Sequence, residues 1–182
     1  MADSVTDDMA DDIVLVARCR AGDRQAMDLL VRKYQRPLFN VALRMHRNPD
    51  DAADTVQNAF VKAFEKLHLY DADQKFFSWI YRITINEALN ASRRQTYPSD
   101  ATTADTVDTG PDALLEQAKA SARLHQALMM LKEDARAVVV LRHFSDLNYA
   151  QIADILQIHE ETVKSRLFSA RRKLAELMQS RD

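Results

Sequence analysis

The chain has 182 residues and a formal net charge of −2, with 47% hydrophobic residues but only 2 Gly and 4 Pro. That length suits one or two small domains, and so few turn-forming residues argue against a strand-rich fold, leaving an all-α chain as the expectation. A lone cysteine, Cys19, excludes an internal disulfide and a cysteine-rich zinc site, and fits a reducing cytoplasm.

Charge is unevenly distributed. Residues 1–12, MADSVTDDMADD, carry five Asp and no base, which reads as an acidic N-terminal tail and not as a signal peptide. Residues 13–95 are basic on balance and helical in pattern. Apolar positions Ile13, Val16 and Ala17, then Ala26, Leu29 and Leu30, then Phe39, Ala42 and Leu43, recur at one-face helical spacing. AGD at 21–23 separates the first helix from the second. A third helix is expected from Asn48 as N-cap, with Pro49 at its first position and acids in its first turn. Val56, Ala59, Phe60, Ala63, Phe64 and Leu67 form its stripe. The loop HLYDADQK precedes a fourth helix, FFSWIYRITINEALNASRRQ.

Residues 96–115, rich in Thr, Asp, Ser, Pro and Gly, read as a flexible acidic linker, with a helix restarting near Pro111. Residues 116–182 are helical again, with one stripe at Leu124, Ala127, Leu128 and Leu131 and another in EDARAVVVLRHF. The organisation expected is therefore two small helical domains, 13–95 and 116–182, on either side of that linker.

The last segment carries the strongest signal. Tyr149, Ile152, Ala153 and Leu156 are spaced for one helix, the brief turn QIHE follows, and a second helix begins. Its apolar positions, Val163, Leu167, Ala170, Leu174 and Leu177, fall within about 40° of one line at 100° per residue. The opposite face then holds Glu161, Lys164, Ser165, Phe168, Ser169, Arg171 and Arg172. A helix, a short turn and a second helix of this composition describe a helix-turn-helix DNA reader. The cations suit phosphates or guanine edges, the serines permit close approach, and Phe168 suits a thymine methyl. A solvated amphipathic helix is the plainer reading, but it leaves the outward Phe168 unexplained.

At LRHFSDLNYAQIADILQIHEETVKSRLFSARRKL the chain resembles the −35-reading domain of extracytoplasmic-function (ECF) sigma factors of bacterial RNA polymerase, RpoE-like group. DIVLVARCRAGDRQAMDLLVRKYQRPLF, NPDDAADTVQNAFVKAFEKL and FFSWIYRITINEALNASRR resemble, in order, that family's opening helices, its polymerase-binding helix and its −10 helix. The resemblance spans roughly residues 12–178.

It implies a factor that directs promoter-specific initiation, is stress-responsive, and is held in check by an anti-sigma factor. The implied partners are core RNA polymerase, through the clamp helices of its largest subunit and its flap, and promoter DNA, duplex at −35 and single-stranded at −10. For polymerase docking the matching positions are Asp51, Asp54, Gln57, Asn58, Phe60 and Lys62. For the −10 element they are Tyr70, Asp71, Lys75, Phe76, Arg82 and Asn86, since an unstacked base needs a stacking surface and hydrogen-bond groups. Trp79 has two readings, core packing, which is preferred, and stacking. For the −35 element they are Lys164, Ser165, Phe168, Ser169, Arg171 and Arg172, with Arg142, Tyr149 and Thr162 on the backbone.

Several positions depart from the family pattern. Asn58 stands where Glu is frequent, Gln157 and His159 where Gly and Pro are frequent, and Ser169 where Arg is frequent, so the −35 sequence is not legible. The five histidines show no ligand spacing, and no phosphate-binding Gly loop occurs. No cofactor, metal or catalytic role is expected, and no membrane insertion. Two other classes fit parts of the chain: a dimeric helix-turn-helix repressor or activator, and an all-helical adaptor whose basic helix docks on an acidic partner.

Overall fold

The computed structural model describes residues 3–94 and 112–179, and every regular element among them is helical. In order these are α1 (Asp3–Arg20), α2 (Arg24–Met45), α3 (Pro49–Glu65), a short 3₁₀ turn (Leu67–Leu69), α4 (Phe76–Arg94), α5 (Asp112–Met129), α6 (Glu133–Phe144), α7 (Tyr149–Leu156) and α8 (Glu160–Gln179). The acid-rich segment expected as a tail is thus drawn into α1 from Asp3 onward, where acids favour a helix N-terminus. Most of the segment expected as a linker lies outside the described residues, and α5 begins at Asp112.

Local chemistry sets the helix boundaries in the first half. Gly22 turns the chain at φ +85°, a left-handed conformation that costs a side-chain-bearing residue free energy, and Asp23 caps α2 by accepting from Gln25 N at 2.9 Å. Asn48 Oδ1 caps α3 by accepting from Asp51 N at 2.7 Å, with Pro49 in the first turn.

The buried face of α1 is not the expected one. Ile13 is 57% exposed, whereas Asp12, Val16 and Cys19 turn inward. Asp12 sets this register: its carboxylate accepts from Lys33 Nζ at 2.8 Å and from the Tyr34 hydroxyl, tying α1 to α2 from within. Leu30, Leu38 and Val41 of α2, Ala52, Ala59 and Ala63 of α3, and Ile80 and Ile85 of α4 fill the core of this half.

In the second half α6 is the central helix. Every side chain from Arg136 to Leu141 is buried, because α6 is packed by α2, α7 and α8 together. A helix apolar on all sides belongs in the middle of a bundle. Asn148 and Gln151 form a reciprocal capping box at the start of α7, both bonds 2.9 Å. Gln157 then ends α7 in the left-handed region, φ 53° and ψ 47°, and its amide donates to Asp154 O at 2.7 Å. That side-chain bond offsets part of the backbone strain at a position where glycine would be easier.

The two halves pack on each other, α5 and α6 against α2, and α7 against α4. Arg136 is the central tie. Its guanidinium donates to Leu128 O (2.9 Å), Met129 O (3.0 Å) and Leu131 O (3.1 Å) at the end of α5, and to Met45 O (2.7 Å) at the end of α2. One buried cation thus satisfies the orphan carbonyls of two helix termini in different halves. Arg44 lies over the Phe144 ring at 4.0 Å. No described helix is long and apolar enough to cross a membrane.

Candidate nucleic-acid interface and docking groove

Burial of Val163, Leu167 and Ala170 rolls the opposite face of α8 into solvent. Lys164, Ser165, Phe168, Ser169, Arg171 and Arg172 are all exposed there. Phe168, at 70% exposure, is the most exposed large apolar side chain described. A ring left in water forgoes the free energy of burial, and this one stands among the exposed cations of the same face. Thr162 is half-buried in the first turn. Lys164 donates to Glu161 Oε1 at 2.7 Å, and that bond holds its ammonium pKa above the ordinary value. Arg171 donates through Nε and Nη2 to His143 Nε2 (3.3 and 3.2 Å), so this imidazole is the neutral acceptor, and burial and the neighbouring Arg171 and Arg142 charges pull its pKa down. Arg142 donates to Leu147 O at 2.8 Å and lies over the Tyr149 ring, so both brace the start of α7.

The loop between α3 and α4 is folded back onto the first half. Arg20 donates to Leu67 O at 3.1 Å and to Tyr70 O, and the Tyr70 hydroxyl donates to Gln74 O. Tyr70 (5% exposed) and Phe76 (2%) were expected to offer stacking faces; they are core residues instead. The reason is a ring cluster: Tyr34, Tyr70, Phe76 and Trp79 meet at centroid distances of 5.1 to 5.8 Å. Trp79 follows the preferred core reading but keeps a partly open edge. Asp71 and Lys75 are exposed. Lys75, Trp79, Arg82 and Asn86 share one side of α4 by helical spacing. Asn86 is exposed, whereas Arg82 donates to Asp154 O (3.0 Å) and Oδ1 (3.2 Å) of α7.

In the first half, α2 and α3 frame an open groove of about 680 Å³, lined by Val31, Gln35, Arg36 and Phe39 of α2 and by Ala53, Val56, Gln57, Phe60, Val61 and Phe64 of α3. Its lining is mainly apolar, and Val61 is 48% exposed. Of the residues expected to meet polymerase, Gln57 and Phe60 line this groove, and Asp54 and Asn58 stand exposed on the same helix. Asp51 instead completes the α3 cap by accepting from Asn48 Nδ2 at 2.9 Å. Lys62 turns away to donate to Glu87 Oε1 of α4 at 2.6 Å. The α2 wall was missed in the sequence. Val31, Gln35 and Phe39 repeat every fourth residue, a second stripe beside the core stripe, and that pattern was the available signal.

Two helical halves, the second ending in a helix-turn-helix with an exposed basic and aromatic face, define a two-part DNA-binding protein. Residues 30–97 match the family model for sigma-70 region 2, and residues 121–174 match that for sigma-70 region 4. The RNA polymerase sigma-H factor of Pseudomonas aeruginosa is 34% identical over 178 residues, covering 91% of this chain and 92% of that protein. The ECF RNA polymerase sigma-E factor of Escherichia coli is 34% identical over 173 residues, covering 88% and 90%. CnrH, solved in complex with the cytosolic domain of CnrY, superposes with a TM-score of 0.74 at 26% identity, covering 94% of this chain and 99% of that one. The sigma factor RpoE of Bartonella quintana, solved with the anti-sigma factor NepR, shares the fold with a TM-score of 0.67 at 23% identity, covering 85% of this chain and 98% of that one. The chain belongs to the ECF group of the sigma-70 family of RNA polymerase sigma factors. As such it binds core RNA polymerase and directs transcription initiation at promoters.

Proposed function

We propose a division of labour among the surfaces described above. The outward face of α8 enters the duplex at the −35 element: Lys164, Arg171 and Arg172 supply the cations, Ser165 and Ser169 the close approach, and Phe168 the apolar base contact. Arg142, Tyr149 and Thr162 set the entry of that helix and touch the backbone. Asp71, Lys75, Arg82 and Asn86, with the open edge of Trp79, take the single-stranded −10 element, while Tyr70 and Phe76 shape the loop from inside. The α2–α3 groove, with Asp54, Asn58 and Gln57 at its side, docks on the clamp helices of the polymerase, and an anti-sigma factor competes for that groove. The two helical halves act as separate reading units in the promoter complex. The polymerase performs the chemistry in the cytoplasm, and this chain chooses where it starts.

The observation that carries this reading is the ring of Phe168, left in solvent among cations on a helix whose other face is packed through Val163, Leu167 and Ala170. The test is to combine the purified chain with bacterial core RNA polymerase and fragmented host DNA and to sequence the transcript starts. Discrete starts sharing two upstream elements support it, and loss of the upstream element alone in a Phe168→Ala, Lys164→Ala variant assigns α8 to −35. Starts unchanged by that variant would remove α8 from the assignment.

A further inference from the structure

Five cations lie on α8 between Lys164 and Lys173, and four of them have a carboxylate partner. Lys164 pairs with Glu161 at 2.7 Å, Arg166 with Asp134 at 3.3 Å, and Arg172 and Lys173 with Glu176 at 4.0 and 3.3 Å. Arg171 has no carboxylate partner among the described residues. Its Nε and Nη2 instead both donate to Nε2 of His143, at 3.3 and 3.2 Å, in the last turn of α6. The difference matters for a residue that meets DNA. A carboxylate offsets the charge that a phosphate needs, and the pair must break on binding. A neutral imidazole orients the guanidinium and leaves its charge whole. It takes the Nε–Nη2 edge, so Nη1 and the second Nη2 proton are left to form a fork for a phosphate or a guanine edge.

We infer that His143 is a positioning residue for −35 recognition: its neutral imidazole holds Arg171 aimed at the duplex, and its protonation releases Arg171. This rests on the reading of Arg171 as a −35 contact given above. Only an unprotonated Nε2 has a lone pair with which to accept, whereas imidazolium would set an N–H and a like charge against the guanidinium. The acceptor also rides on α6, which α2, α7 and α8 pack from several sides, so it is held on a rigid element. The surroundings keep the ring neutral. Partial desolvation, then the charges of Arg171 from α8 and Arg142 on its own helix, hold its pKa below the ordinary 6.5. The other groups nearby are engaged elsewhere: Asp146 pairs with Arg142 at 4.0 Å, the Tyr149 ring of α7 lies under the same guanidinium, and Arg44 of α2 lies over Phe144. At pH 7.5 the contact is therefore intact, and it is lost as pH falls below 6.5, so −35 affinity should fall in that window.

The test is a double-mutant cycle in the holoenzyme, read as affinity for a promoter fragment recovered from the transcript-start mapping above. At pH 7.5, His143→Ala is expected to weaken binding about threefold, the worth of one modest hydrogen bond. His143→Gln, whose amide oxygen is an acceptor at every pH, should restore most of that loss. Both substitutions should be silent in an Arg171→Ala background. Between pH 7.5 and 5.5 the wild type should lose about threefold relative to His143→Gln, in which effects of pH on the polymerase are the same. An equal loss from His143→Ala with and without Arg171 would make the effect one of packing and overturn the proposal. Tighter binding by the wild type than by His143→Gln at pH 5.5 would make His143 a direct phosphate contact and overturn it as well. If Arg171→Ala alone binds like the wild type, the −35 role of Arg171 fails first, and the positioning role of His143 fails with it.

Discussion

Arg136→Met removes a side chain shared by the ends of α5 and α2. The substitution keeps volume and unbranched shape, so packing loss is small and the polar loss dominates. Four carbonyls lose this donor, but Leu128 O keeps the Leu131 N–H at 3.1 Å and water can take the part-buried Met129 O, so Leu131 O and Met45 O are the buried acceptors that lose theirs. A buried acceptor left unpaired costs at least about 1 kcal/mol, so the two together come to about 2–3 kcal/mol. Release of a desolvated cation offsets part of this, and burial does pull the Arg136 pKa down, which shows that desolvation is felt. The expected outcome is a fall of the urea midpoint by roughly 1 M, taking a slope of about 2 kcal/mol/M. Since three of the four bonds lie inside the second half, hydrogen exchange should rise first at the end of α5, and only then at the α2 terminus. A loss below about 1 kcal/mol, or exchange confined to α2, would refute the capping account.

Other outcomes are expected on the same grounds. Asp12→Asn weakens the buried tie to Lys33 and Tyr34 and should cost about 2–3 kcal/mol in equilibrium unfolding, although the position lies in a segment that composition marks as a tail. Burial holds His46 and His125 below the ordinary value of 6.5, with Arg136 adding to the depression of each. The unfolded chain therefore binds more protons than the folded one once pH drops below about 6.5, so this contribution is full above that pH and declines beneath it. A thermal midpoint lower at pH 5.5 than at 7.5, with a shallower decline in His125→Gln, is the check. Lys164→Ala with Arg171→Ala should reduce the slope of log affinity against log salt on duplex −35 DNA by about 2. Val61→Glu places a charge in the α2–α3 groove at an exposed position; it should leave unfolding unchanged and weaken polymerase binding about tenfold or more in a titration.

Helix positions with short-range causes were legible in the chain. Asn48, Pro49 and the following acids announce α3, and the cap is there. Val163, Leu167 and Ala170 define the inner face of α8, so the outer face followed by geometry. What could not be read depends on contacts distant along the chain. Ile13 looked as apolar as Val16, but Asp12 reaches Lys33 and Tyr34 and rotates α1 until Ile13 faces water. Tyr70 and Phe76 carry the composition of a stacking site, yet Tyr34 from α2 completes a ring cluster that draws them inside. Arg136 sat unnoticed within an apolar stripe, because its partners are backbone carbonyls, which no side-chain pattern advertises. The packing of α7 on α4 joins the two halves through Arg82 and Asp154, a pair 72 residues apart that no local pattern announces.

With partners docked in it as proposed, the groove between α2 and α3 would also link this protein's abundance to that of its partners. Any helix that fills it binds the folded chain and not the unfolded one, so its concentration enters the folding equilibrium directly. At a hundred times its dissociation constant such a partner adds about 2.7 kcal/mol, a sizeable share of a typical domain's margin. A copy without a partner is correspondingly easier to unfold and degrade, so the steady-state level of the factor should follow the supply of proteins able to occupy that groove.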